Sequence, residues 1–308
     1  MRIVRDWRGL AAGDRGAAVA LGNFDGVHRG HQAVIAAARE AGLRRGARLG
    51  VVTFDPHPRR YFQPDAAPFR LMTPGQQARA LEALGVEILY VLPFDADMVA
   101  MSAETFAREV LSEGLGVAHV AAGFDFTFGA KRTGDAAALR ALGDDLAFGV
   151  SIVAPLADET GYKVSSSAVR QALEQGHPDR AADLLGRPFA LEGVVEKGRQ
   201  LGRVLGFPTA NVELGRYLRP RLGVYATRTR LADGRIFKGV ANLGRNPAAG
   251  LVEPRLEVWL LDFEGDLYGQ TIETELVAFQ RPERNFDSLV ALTAQVMADA
   301  EQARRILG

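Results

Sequence analysis

Two histidines three positions apart, His28 and His31, close the run Gly22-Asn23-Phe24-Asp25-Gly26-Val27-His28-Arg29-Gly30-His31. The run follows an apolar stretch and leads into a helical pattern. A strand, a glycine-rich turn and a helix N-terminus make an anion site, because backbone N–H groups and the helix dipole converge there. An imidazole beside a phosphate can donate a hydrogen bond to its oxygens as charge builds in a transition state, without acting as a nucleophile. Gly30 leaves room for a ligand to approach the backbone between the histidines. An isolated H-x-G-H string also serves as a plain helix cap, and its position after the first long apolar run is what favours the phosphate reading.

A second group, Ser165-Ser166-Ser167-Ala168-Val169-Arg170, stands where another helix is expected to begin. Hydroxyls and an arginine at a helix start form a phosphate cradle, the alternative being a serine cap with a solvated arginine. A third group runs from Gly198 through Gly202 to Pro208-Thr209-Ala210-Asn211. Bare backbone at Gly198 and Gly202 suits a loop folding over polyphosphate, although on the glycines alone a surface loop fits equally. Thr209 and Asn211 are two residues apart, so in an extended segment both face one side, as a shared magnesium site requires.

These groups need elements to hold them. Between residues 17 and 155 the apolar runs AAVALGNF, ARLGVVTF, EILYVLPF, HVAAGFDF and GVSIVAP alternate with helical patterns at 31–43 and 73–84. That rhythm predicts an α/β region with a parallel sheet, whose ligands bind beyond the carboxyl ends of the strands. A helix is expected over 167–185, after which Gly186-Arg187-Pro188 breaks the pattern. Alternating stretches at 224–231 and 236–242 flank Ala232-Asp233-Gly234 as a hairpin, and 256–263 and 271–279 read as further strands. This half is expected to be a small antiparallel β-barrel. Phe286, Leu289, Val290, Val296, Met297 and Leu307 are spaced as one face of a terminal helix packing on it. The division falls near residue 184, giving domains 1–184 and 185–308.

With these motifs in place, the chain resembles the nucleotidyltransferase superfamily that carries H-x-G-H and S-S-S/T-x-x-R. Together with Thr53-Phe54-Asp55-Pro56-His57-Pro58 and Gly123-Phe124-Asp125-Phe126-Thr127-Phe128-Gly129, the first half is similar to the FMN adenylyltransferase domain of the bacterial bifunctional riboflavin kinase/FAD synthetase family. The resemblance implies a Rossmann-like nucleotidyltransferase domain and in-line attack of FMN on the α-phosphorus of ATP. His28, His31, Ser166 and Arg170 would stabilise the transferring phosphates, Asn23 would help orient them, Gly22, Asp25 and Gly30 would belong to the nucleotide site, and Asp125 would contact the nucleotide or simply be a solvated loop residue. Phe54, Pro56, Pro58 and Phe128 would supply flat apolar walls for flavin, or simply belong to the core.

The P-T-A-N string, Gly223-Val224-Tyr225, Leu256-Glu257-Val258-Trp259 and Asp266-Leu267-Tyr268-Gly269 resemble a bacterial riboflavin kinase domain. That implies Mg²⁺ and nucleotide phosphates at Thr209 and Asn211, with Glu257 as general base for the ribityl hydroxyl, or otherwise as an outward strand residue. The family pattern N-[IL]-G-x-[RK]-P-T is replaced here by Asn242-Leu243-Gly244-Arg245-Asn246-Pro247-Ala248. Substrates and products would be riboflavin, FMN and FAD, with ATP as co-substrate.

Composition bounds the partners. Lys plus Arg equals Asp plus Glu at 37 each, so no overall positive field draws in nucleic acid or an anionic membrane. Without cysteine there are no disulfides or thiolate metal sites, and no stretch approaches a membrane span. A cytoplasmic enzyme acting on small molecules is expected; composition does not address oligomeric state.

Overall fold

Ala18–Leu21 is buried at all four positions, which requires neighbours on both edges and layers on both faces. A computed structural model describes residues 1–159, 161–198, 202, 205–246 and 251–308. In it, six parallel strands lie in the order β1-β4-β3-β2-β5-β6. They are β1 (Arg2–Val4), β2 (Ala18–Leu21), β3 (Leu49–Asp55), β4 (Ile88–Pro93), β5 (His119–Gly123) and β6 (Gly149–Val153). Five coincide with the expected runs; β1, only three residues long, carries no periodic signal. Helix α1 (Arg29–Arg45) follows β2, and α2 (Pro74–Ala83) precedes β4. Trp7, Leu21, Tyr90, Phe106 and Leu139 are among the apolar residues filling the core here.

The strand order reverses at β2: β3 and β4 extend to one side and β5 and β6 to the other. In an open parallel sheet a crevice opens at that switch, beyond the carboxyl ends of β2 and β5. The turns carrying Gly22–Asp25 and Gly123–Asp125 begin there.

The helix expected over 167–185 is two helices, α3 (Ser166–Gln175) and α4 (Pro178–Leu185). Gly176 adopts φ +83° and closes α3, with its N–H bonded to Leu173 O and the next N–H to Ala172 O. Pro178 then starts α4 at a position where no N–H is needed.

The second half is a closed antiparallel barrel, ordered β10-β11-β8-β7-β12-β9. Its strands are β7 (Phe189–Glu196), β8 (Ala210–Glu213), β9 (Gly223–Arg230), β10 (Ile236–Asn246), β11 (Leu251–Leu260) and β12 (Thr271–Arg281). Leu256, Val258 and Leu260 alternate inward and are buried, while Arg255, Glu257 and Trp259 take the outward face.

The terminal helix α5 (Leu289–Leu307) differs from its expected face. Ala300, Ala303 and Leu307 pack on Val224, Ala226, Val240 and Leu261, whereas Leu289, Val290 and Met297 are exposed. Asp299 lies buried on the same side as Ala300 and is paired with Arg281, so the packed face carries a charge that apolar spacing does not count.

By internal contacts the chain forms two compact units, Met1–Ala66 with Gln77–Val164 and Ala67–Gln76 with Ser165–Gly308. The second therefore takes in residues 67–76, where Arg70 bridges Tyr217 and the Tyr217 hydroxyl donates to Gln76 Oε1 at 2.5 Å.

Candidate functional site

In the first unit the turn after β2 is held by its backbone. Phe24 and Val27 take φ of +50° and +44°, a region costly for side-chain-bearing residues and more so for a β-branched one. Both side chains are buried, so core packing holds the turn in that form. The Asn23 carbonyl accepts from Thr53 Oγ1 at 3.2 Å and Gln77 Nε2 at 2.9 Å, and Asp25 is buried beside it in the turn.

His28 caps α1: its Nδ1 accepts the His31 N–H at 3.2 Å. An accepting Nδ1 carries no proton, so the neutral ring bears its hydrogen on Nε2 and can donate there. The rings of His28 and His31 stack with centroids 3.6 Å apart and planes 18° from parallel. A side chain at position 30 would lie 3.2 Å from the His28 ring and from the Val164 carbonyl. The space expected to admit a ligand at Gly30 is therefore the space His28 uses to fold over the helix start.

Beyond β5, Asp125 pairs with Lys163, which also lies 4.6 Å over the Phe124 ring. Phe128 is buried against Phe106 and Phe126, so its ring belongs to the core. Phe54 is half-buried and meets Phe94 edge-on at 5.7 Å. Pro56 lies just beyond β3, and Pro58 opens a short helix, Pro58–Phe62, capped by His57. That helix adds Tyr61 and Phe62, which both meet Phe94 edge-on; Phe62 is 61% exposed. Sequence reasoning missed this cluster, although two adjacent aromatics just after a strand end were a usable signal.

Ser165, Ser166 and Arg170 fold in the second unit. Ser165 caps α3 by accepting the Ala168 N–H at 3.2 Å, and Ser166 is its half-buried first residue. Arg170 Nε donates to the Phe69 carbonyl at 2.9 Å and its guanidinium lies 5.6 Å over the Phe69 ring.

The barrel wall carries a cavity of about 350 Å³ whose lining includes Gly198, Gly202, Thr209, Asn211 and Glu257. Five expected residues from three chain segments thus meet in one place, and strand register explains how. Asn211 on β8 lies opposite Glu257 on β11, Glu257 opposite Asn242 on β10, Asn242 opposite Val224 on β9, and Val224 opposite Arg281 on β12. Directly opposed residues share a face, so each of the five strands sends at least one side chain into the cavity. A side chain at Gly198 would come within 2.5 Å of the Asn211 amide, which itself donates to the Thr209 carbonyl at 3.3 Å. Glycine at 198 lets that loop lie against Asn211. Gly202 is similarly tight: a side chain there would come within 2.5 Å of the Phe207 carbonyl. Arg199, Gln200, Leu201, Arg203 and Val204 of the same loop lie outside the described residues, as do Pro247 and Ala248.

Burial pushes the Glu257 carboxyl above its ordinary value, the Glu283 carboxylate adds to this, and Arg255 opposes it. Glu257 is thus an outward strand residue and also a half-buried acid with raised proton affinity.

Sequence reasoning missed the 281–286 segment that walls this cavity. Arg281 forms a two-pronged pair with Asp299, Nη2 to Oδ2 at 2.7 Å and Nε to Oδ1 at 3.0 Å, and Gln295 Nε2 donates to the same carboxylate at 2.7 Å. Arg284 stacks 4.8 Å over Phe286 and bonds Gln295. The dense Arg-Pro-Glu-Arg-Asn-Phe run between the last strand and the terminal helix was the available signal.

A parallel sheet with a phosphate-type turn and a barrel with a carboxylate-lined cavity define a two-part nucleotide-using enzyme fold. The FAD synthetase family profile matches residues 11–168 and the riboflavin kinase profile residues 185–307. The bifunctional riboflavin kinase/FMN adenylyltransferase of Pseudomonas fluorescens is 42% identical over 99% of this chain and 98% of its own. The proteins of that name from Escherichia coli K12 and Bacillus subtilis are 39% and 38% identical, over 100% and 93% of this chain and 98% and 91% of theirs. A crystal structure from Streptococcus pneumoniae, described as a macrolide-efflux protein, matches with TM-score 0.88 and 32% identity over 99% of both chains. The chain belongs to the bifunctional riboflavin kinase/FMN adenylyltransferase family. Among the described residues no helix is long and apolar enough to cross a membrane.

Proposed function

We propose that this chain makes FAD from riboflavin in two steps: riboflavin and ATP give FMN and ADP, then FMN and ATP give FAD and diphosphate. Residues 1–184 carry the second reaction and 185–308 the first. The observation that carries the reading is the meeting of Thr209, Asn211 and Glu257 in the barrel cavity.

In the kinase half, Glu257 accepts the proton of the ribityl hydroxyl as its oxygen attacks the γ-phosphorus, and ADP leaves. A buried carboxylate of raised proton affinity is a better base than a solvated one. Gly198 and Gly202 let the loop backbone approach the polyphosphate. Thr209 and Asn211 offer hydroxyl and amide oxygens, which are hard donors suited to Mg²⁺. Bound there, Mg²⁺ would neutralise phosphate charge.

In the adenylyltransferase half, the FMN phosphate attacks the α-phosphorus of ATP in line and diphosphate departs without a covalent enzyme intermediate. His28 donates from Nε2 to the transferring phosphates, with His31, Ser166 and Arg170 as further donors, and Gly22, Asn23, Asp25, Asp125 and Ser165 shape the nucleotide site. Phe54, Pro56 and Pro58 border the flavin, joined by Phe62, whose exposed ring suits that contact better than the buried Phe128. The setting is cytoplasmic, with small molecules rather than nucleic acid or membrane as partners.

Incubation with riboflavin, ATP and Mg²⁺ followed by chromatographic separation of flavins tests the reading. FMN and FAD are both expected; neither product would sink it, and FAD from FMN alone would restrict the chain to adenylylation.

A further inference from the structure

Two cavity-lining carboxylates, Asp299 and Glu283, have no role in the proposed chemistry, and of these Glu283 is the one not paired with an arginine among the described residues. It reaches the cavity from the segment joining β12 to α5 and lies directly on the β10 backbone at Gly244, where any side chain would collide with it and with the Asn242 amide. Asn242 is in turn opposite Glu257 in the barrel register. The cavity's other charges are mostly cancelled in place. Arg281 is bound by the buried Asp299, and Arg255 by Glu213 at 2.5 Å and Glu196 at 3.4 Å. Arg284 is turned onto Phe286 and Gln295. Among the described residues Glu283 has no ion-pair partner, so its charge stays in the field of the cavity.

We propose that Glu283 is a specificity-determining residue of the kinase cavity that admits uncharged riboflavin and disfavours its phosphorylated product. This rests on the kinase reading above. The two flavins differ only at the hydroxyl that Glu257 activates, and phosphorylation places about two negative charges there. A carboxylate lining the same cavity as Glu257 leaves the neutral substrate unpenalised and repels the product, since like charges brought together across a binding surface are strongly unfavourable. Release of FMN is also what the second reaction needs, because FMN is its substrate.

The test is the ratio of the FMN inhibition constant to the riboflavin KM, read from initial-rate ADP release at saturating ATP. Adenylylation liberates diphosphate and not ADP, so this readout belongs to the kinase alone. Glu283→Gln should lower the ratio about tenfold, the size expected for loss of one close like-charge contact. Glu283→Asp should bring it back toward wild type. A ratio that is unchanged or raised in Glu283→Gln would overturn the inference. Wild-type protein gives an independent reading: the ratio should fall as ionic strength rises and screens the repulsion, and a ratio that holds or rises would refute it. If wild type released no riboflavin-dependent ADP, the kinase reading itself would fall, and the inference with it.

Discussion

The His28 ring lies over the His31 ring with centroids 3.6 Å apart while its Nδ1 takes the His31 N–H, so one residue both caps α1 and sets the other's orientation. The double variant His28→Ala/His31→Ala should therefore abolish conversion of FMN to FAD while riboflavin phosphorylation persists. Chromatography of flavin products from each substrate checks this. His28→Ala alone should also cost about 1 kcal/mol of stability through loss of the cap, visible in denaturant unfolding.

Glu257→Gln keeps the shape of the side chain and removes its basicity. Riboflavin phosphorylation should fall roughly a hundred- to ten-thousand-fold, the range for loss of a general base, with FAD formation from added FMN retained. Loss of both activities in a folded protein would contradict independent sites.

Asp299→Ala leaves the Arg281 guanidinium without the buried carboxylate that holds it. Removing one partner of such a pair should destabilise the barrel by about 3–5 kcal/mol, measured as a drop in the urea midpoint. The 281–286 wall should loosen with it, raising the riboflavin KM.

His119 on β5 gives a pH dependence of stability. It is buried with Nε2 2.9 Å from Ser151 Oγ; burial lowers its proton affinity from the ordinary 6.5, and Arg45 and Arg44 lower it further. The unfolded chain then binds this proton first as pH drops, so stability is full above 6.5 and is lost between 6.5 and the lower folded value. Comparing urea midpoints at about pH 7.5 and about pH 5.5, His119→Gln should show a smaller acid-side loss than wild type.

Much of this was readable from residue order, for reasons that differ by element. Strands β2 to β5 are largely buried on both faces and so appear as continuous apolar runs, while β6, at the sheet edge, is partly buried throughout. Strand β1 spans only Arg2–Val4 and exists because β4 offers an edge, which no local pattern reports. The break at Gly176-His177-Pro178 had a clear local cause that the apolar spacing of 167–185 masked. Of the face expected for α5, Phe286, Val296 and Leu307 do line the cavity or pack on the barrel, while Leu289, Val290 and Met297 are exposed, because spacing counts apolar residues and cannot foresee a buried Asp299 on the packed side. Glu257 and the Thr209–Asn211 pair were found by resemblance, and their meeting depends on barrel register. Glu283 was not found, since its place depends on a glycine thirty-nine positions earlier in the chain, at 244.

The barrel's spatial order also bears on how the protein is made. Strand β12, the last to leave the ribosome, is the one that closes the ring by pairing with β7, the first. It brings Arg281 with it, and the segment carrying Glu283 follows. A nascent chain that stops short of residue 271 therefore holds the proposed base and phosphate loop with no finished cavity around them, and flavin has no complete barrel to template until β12 has been made.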